Sequence, residues 1–495
     1  MHSQSGNGAA PAWIGVLHRK TGVGLTLLLL GISIMIGCGI AFGGLDAVPL
    51  ILAAVAGLPV AYTIVAYPKA GICILLVLAY SIMFFTRFTS SFPLGTVMDG
   101  VEALLLFGFF LKKKSERGWA TLRNSISVIV LIWIGYNLLE VANPTAASRL
   151  AWLYTIRTVA IVAVTYFIFL YHIRDVAFIR LLFRIWITLS VLAAAYTFVQ
   201  EFAGFLPFEK EWLQSDPSYT SLYYIGNHWR KFSIFSDPVA LAYNMVVSCI
   251  ICLAFLSGTA SIGKRLLLIL LATLFFMAML YSGTRGAFIL LPIAFLLFGV
   301  LRFNRRILIV GILGALLLAG AILVPTSNPT LYRFQTAFRP STDASYNIRT
   351  YNQTRIQPFI LSHPMGGGLG STGIWGQRFS PGSFLASFPP DSGYVRVAVE
   401  LGWIGLLLFA TLMFIILKTG IQTYLRIQNP ELKRYCLAAL LIVFTLNVGN
   451  YPQEALVQFP LNIFFYLAVA LIPITGRLDQ QLQSRLATEK TPHDA

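Results

Sequence analysis

Apolar residues run along this chain in long blocks, and short polar segments, mostly basic, separate them. The blocks fall at about 22–43, 47–66, 71–86, 97–111, 125–140, 154–171 and 180–200, and again at about 238–256, 266–282, 286–301, 307–324, 394–417, 435–449 and 456–474. An α-helix needs roughly 20 apolar residues to cross the hydrocarbon core of a bilayer, so fourteen such blocks would take up about 280 residues. The pattern predicts an all-α polytopic membrane protein of about 14 transmembrane helices (12–14), with one large external loop containing short helices. The first apolar run continues too long for a cleavable signal peptide and reads as the first span.

Composition agrees with the pattern. Of 495 residues, 57% are hydrophobic and 11% charged, whereas a soluble domain carries about 25% charged residues. The net charge of +17 could suggest nucleic acid, but the Lys and Arg residues are scattered through short loops, which reads as topology. If Arg19 and Lys20 are cytoplasmic, the inside segments collect most of the basic residues, including Lys112, Lys113, Lys114, Arg117 and Arg123, while Arg87, Arg149, Arg157 and Arg285 fall on short outside loops. The expected organisation is a cytoplasmic N-terminus at 1–21, a bundle at 22–324 with an external loop at 201–237, a large external loop at 325–393, C-terminal spans at 394–474 and a cytoplasmic tail at 475–495. Both long loops then lie outside, where function is sought. Cys38, Cys73, Cys249, Cys252 and Cys436 fall in or beside apolar blocks, so no disulfide framework is implied. Cys249 and Cys252 form a C-x-x-C on an expected span with no other soft ligand nearby, and read as packing.

The second long loop and the start of the next block hold Arg333, Arg339, Arg349, Arg355, Arg378 and Arg396 against Asp343 and Asp391. Guanidinium forks match phosphate oxygens bidentately, so this basic surface suits a phosphorylated lipid, although a solvated loop face would look similar. Three expected helix starts carry capping residues, Ser236-Asp237-Pro238, Ser282-Gly283-Thr284 and Asp391-Ser392, and a helix N-terminus attracts anions. Arg230 and Lys231 precede the first, and Arg285 sits at the second, at a membrane boundary where headgroup snorkelling is its other reading. The run His363-Pro-Met-Gly-Gly-Gly-Leu-Gly370 lacks a P-loop ending and reads as a flexible turn or a backbone nest for phosphate or sugar. His363 is a candidate base, with a surface histidine or helix C-cap as the alternative. Asp391 and Glu400 are nine residues apart, about 13–14 Å along a helix, too far to act as one carboxylate pair. Asp391 reads as a cap or a base; Glu400, deeper in an apolar block, needs a buried partner such as an arginine.

In this order, the residues resemble the O-antigen ligase and polymerase family, most clearly from about Phe202 to Gly405. Tyr281 to Phe288 looks like the family's Ser-x-x-Arg-Gly turn, which implies that Arg285 holds the donor's pyrophosphate. Gly226 to Asn244 is similar to the preceding basic loop and helix and implies the same role for Arg230 or Lys231. Arg349 to Gly370 looks like the loop helix that ends in a His-Pro, glycine-rich turn, and Asp391 to Gly405 resembles the segment ending in Glu-x-Gly-x-x-Gly. Ligases commonly carry a His-Asn pair before that last segment, where this chain reads Pro390-Asp391-Ser392-Gly393-Tyr394; the polymerase branch fits better.

The resemblance implies a glycosyltransferase of the bacterial inner membrane that uses an undecaprenyl-pyrophosphate-linked glycan. Its partners would be a glycan or lipid A core acceptor and membrane lipid, with no nucleic acid. Arg285, Arg230 or Lys231, and Arg349 would stabilise the leaving pyrophosphate, and His363 or Asp391 would take the acceptor's proton. Neither ATP nor a metal cofactor is expected. A ligase is the nearest alternative; a lipid-linked glycan flippase is the other, and would show internal repeats and midplane charges.

Overall fold

The computed structural model describes residues 30, 31, 33, 48–88, 94–115, 122–225, 228–259, 261–327, 329–336, 338 and 344–490. The apolar block at 22–43, Arg339 and Asp343 lie outside the described residues or, for the block, almost entirely so. Two compact units result. Met1–Tyr67 holds α1 (Val48–Ala66). Everything below concerns Pro68–Ala495.

This unit is helical almost throughout. Its first helices are α2 (Pro68–Phe85), α3 (Leu94–Ser115), α4 (Ser125–Leu139), α5 (Arg149–Ile156), α6 (Val162–His172) and α7 (Val176–Phe202). A π-helical turn at Arg157–Ile161 joins α5 to α6 into one span. Two short helices, α8 (Pro207–Gln214) and α9 (Pro217–Tyr223), and a two-residue hairpin of Tyr224–Ile225 with His228–Trp229 build the first long loop. Then come α10 (Pro238–Leu256), α11 (Ile262–Tyr281), the single turn α12 (Arg285–Phe288), α13 (Leu290–Leu301) and α14 (Arg305–Leu323). The second long loop contains α15 (Pro329–Thr336), α16 (Ala344–Ser362) and α17 (Gly373–Phe379). The chain ends with α18 (Gly393–Glu400), α19 (Gly402–Arg426), α20 (Pro430–Gly449) and α21 (Leu461–Lys490). Among the described residues ten helices are long and apolar enough to cross a membrane, and the apolar segments Gly57–Ala66 and Arg285–Leu301 are shorter. The protein is an all-α polytopic membrane protein.

Short polar residues set where the spans begin. Asp175 accepts from Phe178 N at 2.7 Å, Asp237 from Val239 N and Ala240 N at 2.8 and 2.9 Å, and Asn429 from Glu431 N at 2.9 Å. Pro238 and Pro430 follow two of these caps at the first helical position, where a missing N–H leaves nothing unsatisfied. The centre of the bundle is α10, α20 and α21, whose residues are mostly buried. Polar side chains there bond across helices, since hydrocarbon offers no water to satisfy them. Tyr80 Oη lies 2.8 Å from Ser190 Oγ, and Ser248 donates to the same oxygen at 2.7 Å. Cys249 and Cys252 are buried free thiols in this core.

One expectation about an element changes. The block read as one span at 394–417 is broken between α18 and α19, where Gly402 adopts φ +69°. The one-dimensional apolar pattern is blind to this break, because apolar residues continue on both sides of it, Val397, Ala398 and Val399 before and Trp403 and Ile404 after. The helix expected to start at Ser282-Gly283-Thr284 does so: Thr284 is its N-cap, and the turn α12 continues through Ile289, itself in right-handed helical conformation, into α13.

Candidate functional site

The end of α11 gathers cations. At Ser282 the helix closes, and Gly283 takes φ +60° with its N–H on Leu280 O at 2.9 Å. Arg230 wraps this turn: Nε donates to Ser282 O at 2.9 Å, Nη2 to Thr284 Oγ1 at 2.9 Å and Nη1 to Leu222 O at 3.2 Å. Arg333 donates Nε to Gly283 O at 2.6 Å, and occupies the space a side chain at Gly283 would need. Both guanidinium groups therefore cap carbonyls at the negative end of a helix dipole. Arg285 follows directly, close enough that its charge acts against that of Arg230. Burial, opposed by Asp237 and Tyr223 and reinforced by Arg285, pushes the Arg230 guanidinium down to about 10, so it stays charged at neutral pH. Arg349, from α16, lies near enough to Tyr243 for its charge to act on that hydroxyl, and a side chain at Gly286 would sit 3.7 Å from the same oxygen. Arg230 and Arg333 thus hold the turn at 282–284 that leads into Arg285.

Lys231 faces elsewhere. Its backbone N–H bonds Tyr281 O at 3.1 Å, while its buried ammonium lies 3.2 Å from Glu201 Oε2 and 5.1 Å from the Phe205 ring centre. Of the two adjacent cations considered together from the sequence, Arg230 touches the turn and Lys231 is neutralised beside it. His228 shares Glu201, with Nε2 at 3.5 Å. Burial holds this imidazole below its ordinary value of 6.5; Glu201 opposes the shift, and Lys231 and Arg333 add to it.

Beside the arginines runs an apolar groove of about 470 Å³, between Gly286, Leu290 and Ile293 on one wall and Tyr394, Val448 and Tyr451 on the other.

The glycine run at 366–370 is a clasp, neither a flexible turn nor an open nest. Gly367 N and Gly368 N donate to Val399 O and Glu400 O at 2.8 and 2.9 Å. Gly366, Gly368 and Gly370 have φ of +71°, +90° and +80°. A side-chain carbon at Gly366 would fall 2.4 Å from Gly402 N, and one at Gly402 would fall 2.0 Å from Pro364 O. The two glycine-rich segments thus interlock, and Asn143 Nδ2 fastens them to the α4–α5 connection by donating to Met365 O at 2.9 Å. Two of the N–H groups that a phosphate nest would require are already bonded to carbonyls.

The clasp positions His363 at the end of α16. Its ring stacks on Phe359 at 4.0 Å, and Nδ1 lies 3.0 Å from Phe359 O and 2.9 Å from Ser362 Oγ. Phe359 O can only accept, so an Nδ1–H directed at it leaves Nε2 with a lone pair, as a base requires. Asp391 does not cap α18; Ser392 does, accepting from Val395 N at 3.5 Å. The Asp391 carboxylate is half-buried and acts on that of Glu454. Glu400 is buried and has the arginine partner its position demanded: Arg396 Nε at 3.2 Å, with Thr372 Oγ1 donating at 2.6 Å. Arg396 also reaches Glu454 Oε2 at 2.6 Å. Glu400 therefore anchors the clasp to the turn between α20 and α21.

His228, Glu201, Thr372 and Glu454 escaped the sequence reading. The signal for Glu454 was a lone carboxylate in the polar insert Asn450-Tyr-Pro-Gln-Glu454 between two spans. His228 and Glu201 are brought together only by the fold of the first long loop.

A polytopic helical membrane protein with an arginine-lined turn at one end of its bundle is the class these features define. Residues 266–410, which include Arg285, His363, Asp391 and Glu400, match the family model described as O-antigen ligase. The chain is also 24% identical over 251 residues to a protein of Salmonella muenchen named O-antigen polymerase, an alignment covering 48% of this chain and 59% of that relative. Both findings support an O-antigen ligase/polymerase family for this chain.

Proposed function

We propose that this protein is a membrane glycosyltransferase that polymerises O-antigen or exopolysaccharide repeat units carried on undecaprenyl pyrophosphate, at the outer face of the bacterial inner membrane. The observation that carries this reading is the gathering of Arg230 and Arg333 on the turn that leads into Arg285, next to an apolar groove that begins at Gly286. A diphosphate joined to a polyprenyl chain has that same division of charge and hydrocarbon. In this reading the acceptor hydroxyl attacks the anomeric carbon of the donor sugar, forming the new glycosidic C–O bond as the bond to the pyrophosphate oxygen breaks. The electron pair leaves on the pyrophosphate, where the preorganised guanidinium groups of Arg285, Arg230 and Arg349 stabilise it. His363 Nε2 accepts the hydroxyl proton, with Asp391 as the other candidate. Lys231 and Glu400 hold the framework. The glycosyl phosphate linkage itself supplies the driving force, so this reaction calls for neither ATP nor a metal. Both termini are cytoplasmic in this reading, with 201–237 and 325–393 outside. The segment Pro390-Asp391-Ser392-Gly393-Tyr394, which lacks the His-Asn pair ligases commonly carry there, favours polymerase over ligase.

The test gives purified protein a pyrophosphate-lipid oligosaccharide. A ladder of lengthened lipid-linked glycans without other acceptor supports polymerase. Product only after lipid A core is added assigns a ligase, and movement across the membrane without new bonds assigns a flippase. Arg285→Ala should abolish transfer while the protein remains inserted, and normal turnover by that variant would reject the arginine site.

A further inference from the structure

At the end of the bundle away from residues 282–286, a second group of cations frames a cleft of about 550 Å³. It opens where the C-terminus of α10, the corner between α13 and α14, and the facing ends of α19 and α20 meet. Arg302, Arg306 and Lys433 line its rim, and among the described residues no Asp or Glu lines it. Arg302 is fixed by donating Nη1 to Ser257 O at 2.9 Å, and Lys433 Nζ stands 5.1 Å from the Tyr424 ring centre. The only carboxylate nearby in sequence, Glu431, is engaged by Arg180 at 2.7 Å and by Tyr435 Oη at 2.8 Å. Below the cations the walls turn apolar, with Leu253, Phe295, Phe298 and Val310.

The wedge exists because α14 stands off the bundle. None of its residues is buried, and it approaches α13 at Gly311, where a side-chain carbon would lie 3.1 Å from the Phe295 ring. At membrane depth an apolar gap of this kind is filled by hydrocarbon, not water. Three cations at its rim, with no carboxylate among its described lining residues, attract an anionic headgroup. We propose that this cleft is a binding site for an anionic phospholipid, its phosphate held by Arg302, Arg306 and Lys433 and one acyl chain lying along Phe295 and Val310. The site is separate from the proposed transfer site, and its occupant is a structural lipid.

Delipidated full-length protein in detergent, titrated with phosphatidylglycerol, phosphatidylcholine or inorganic phosphate and followed by native mass spectrometry, tests this. Phosphatidylglycerol should bind at least ten-fold more tightly than phosphatidylcholine, and inorganic phosphate should neither bind measurably nor displace it. Arg306→Gln and Lys433→Gln should each weaken phosphatidylglycerol binding roughly five-fold, whereas Lys264→Gln, an exposed cation outside the cleft, should leave it unchanged. Equal binding of the two lipids by the unaltered protein overturns the proposal whatever the variants do. So does wild-type affinity in the Arg306→Gln/Lys433→Gln protein, an equal loss in Lys264→Gln, or competition by inorganic phosphate.

Discussion

Replacing Gly402 with alanine tests the interlocked geometry that positions His363 and Glu400. Gly402 has φ +69°, and a side-chain carbon there would lie 2.0 Å from Pro364 O and 2.5 Å from Gly366 N. The left-handed conformation alone costs a non-glycine residue about 1–2 kcal/mol, and forcing backbone apart in a packed site adds roughly 1–3, for a total of about 2–5 kcal/mol. Two controls separate these effects. Gly373 has φ +64° but nothing within 4 Å, so Gly373→Ala should lose only the conformational part, about 1–2 kcal/mol. Gly382 has neither a positive φ nor a neighbour within 4 Å, so Gly382→Ala should stay within about 0.5 kcal/mol of the parent. Thermal unfolding of the detergent-solubilised proteins at one scan rate should rank them parent and Gly382→Ala, then Gly373→Ala, then Gly402→Ala well below. If Gly402→Ala and Gly373→Ala melt together, the segments do not interlock, and the flexible turn or phosphate nest returns.

Other consequences are independent of the clasp. Arg87 and Glu209 form a fully buried ion pair at 3.2 Å, with Arg87 over the Phe232 ring; Arg87→Met should destabilise by about 3–5 kcal/mol, and Arg87→Met/Glu209→Leu should recover much of it, as measured by denaturation of both proteins. Arg396→Met leaves Glu400 and Glu454 facing each other uncompensated, so a loss of about 3–5 kcal/mol is expected, and Arg396→Met melting like the parent would remove the anchoring role given to Glu400. His228 binds a proton less readily in the folded protein than in the unfolded chain. Stability should therefore fall as pH drops through about 6.5 and level off below the folded value. His228→Gln should flatten that acid limb in melting curves taken from pH 5 to 8, and an unchanged limb would exclude His228 as its source.

The spans were readable because hydrocarbon imposes a length and a composition that survive in one dimension; α10, α11 and α14 fall close to the blocks at 238–256, 266–282 and 307–324. Capping at Asp237 was readable too, since an Asx-Pro pair acts over three residues. Asp391 looked equally capable of capping α18, but the helix begins one residue later, on Ser392. The glycines could be seen and their purpose could not, because the groups they accommodate lie some 35 residues away along the chain, at Glu400 and Gly402.

By itself the sequence determined that the chain is a helical membrane protein, because charge and hydropathy are properties of neighbouring residues. Only the tertiary structure decided that Arg230 bonds the turn at 282–284 while Lys231, one position on, pairs with Glu201, and gave Glu400 its place against Arg396 and Thr372. A guanidinium or a carboxylate acts through the groups within a few ångströms of it, and in this protein those groups come from helices far apart in the chain.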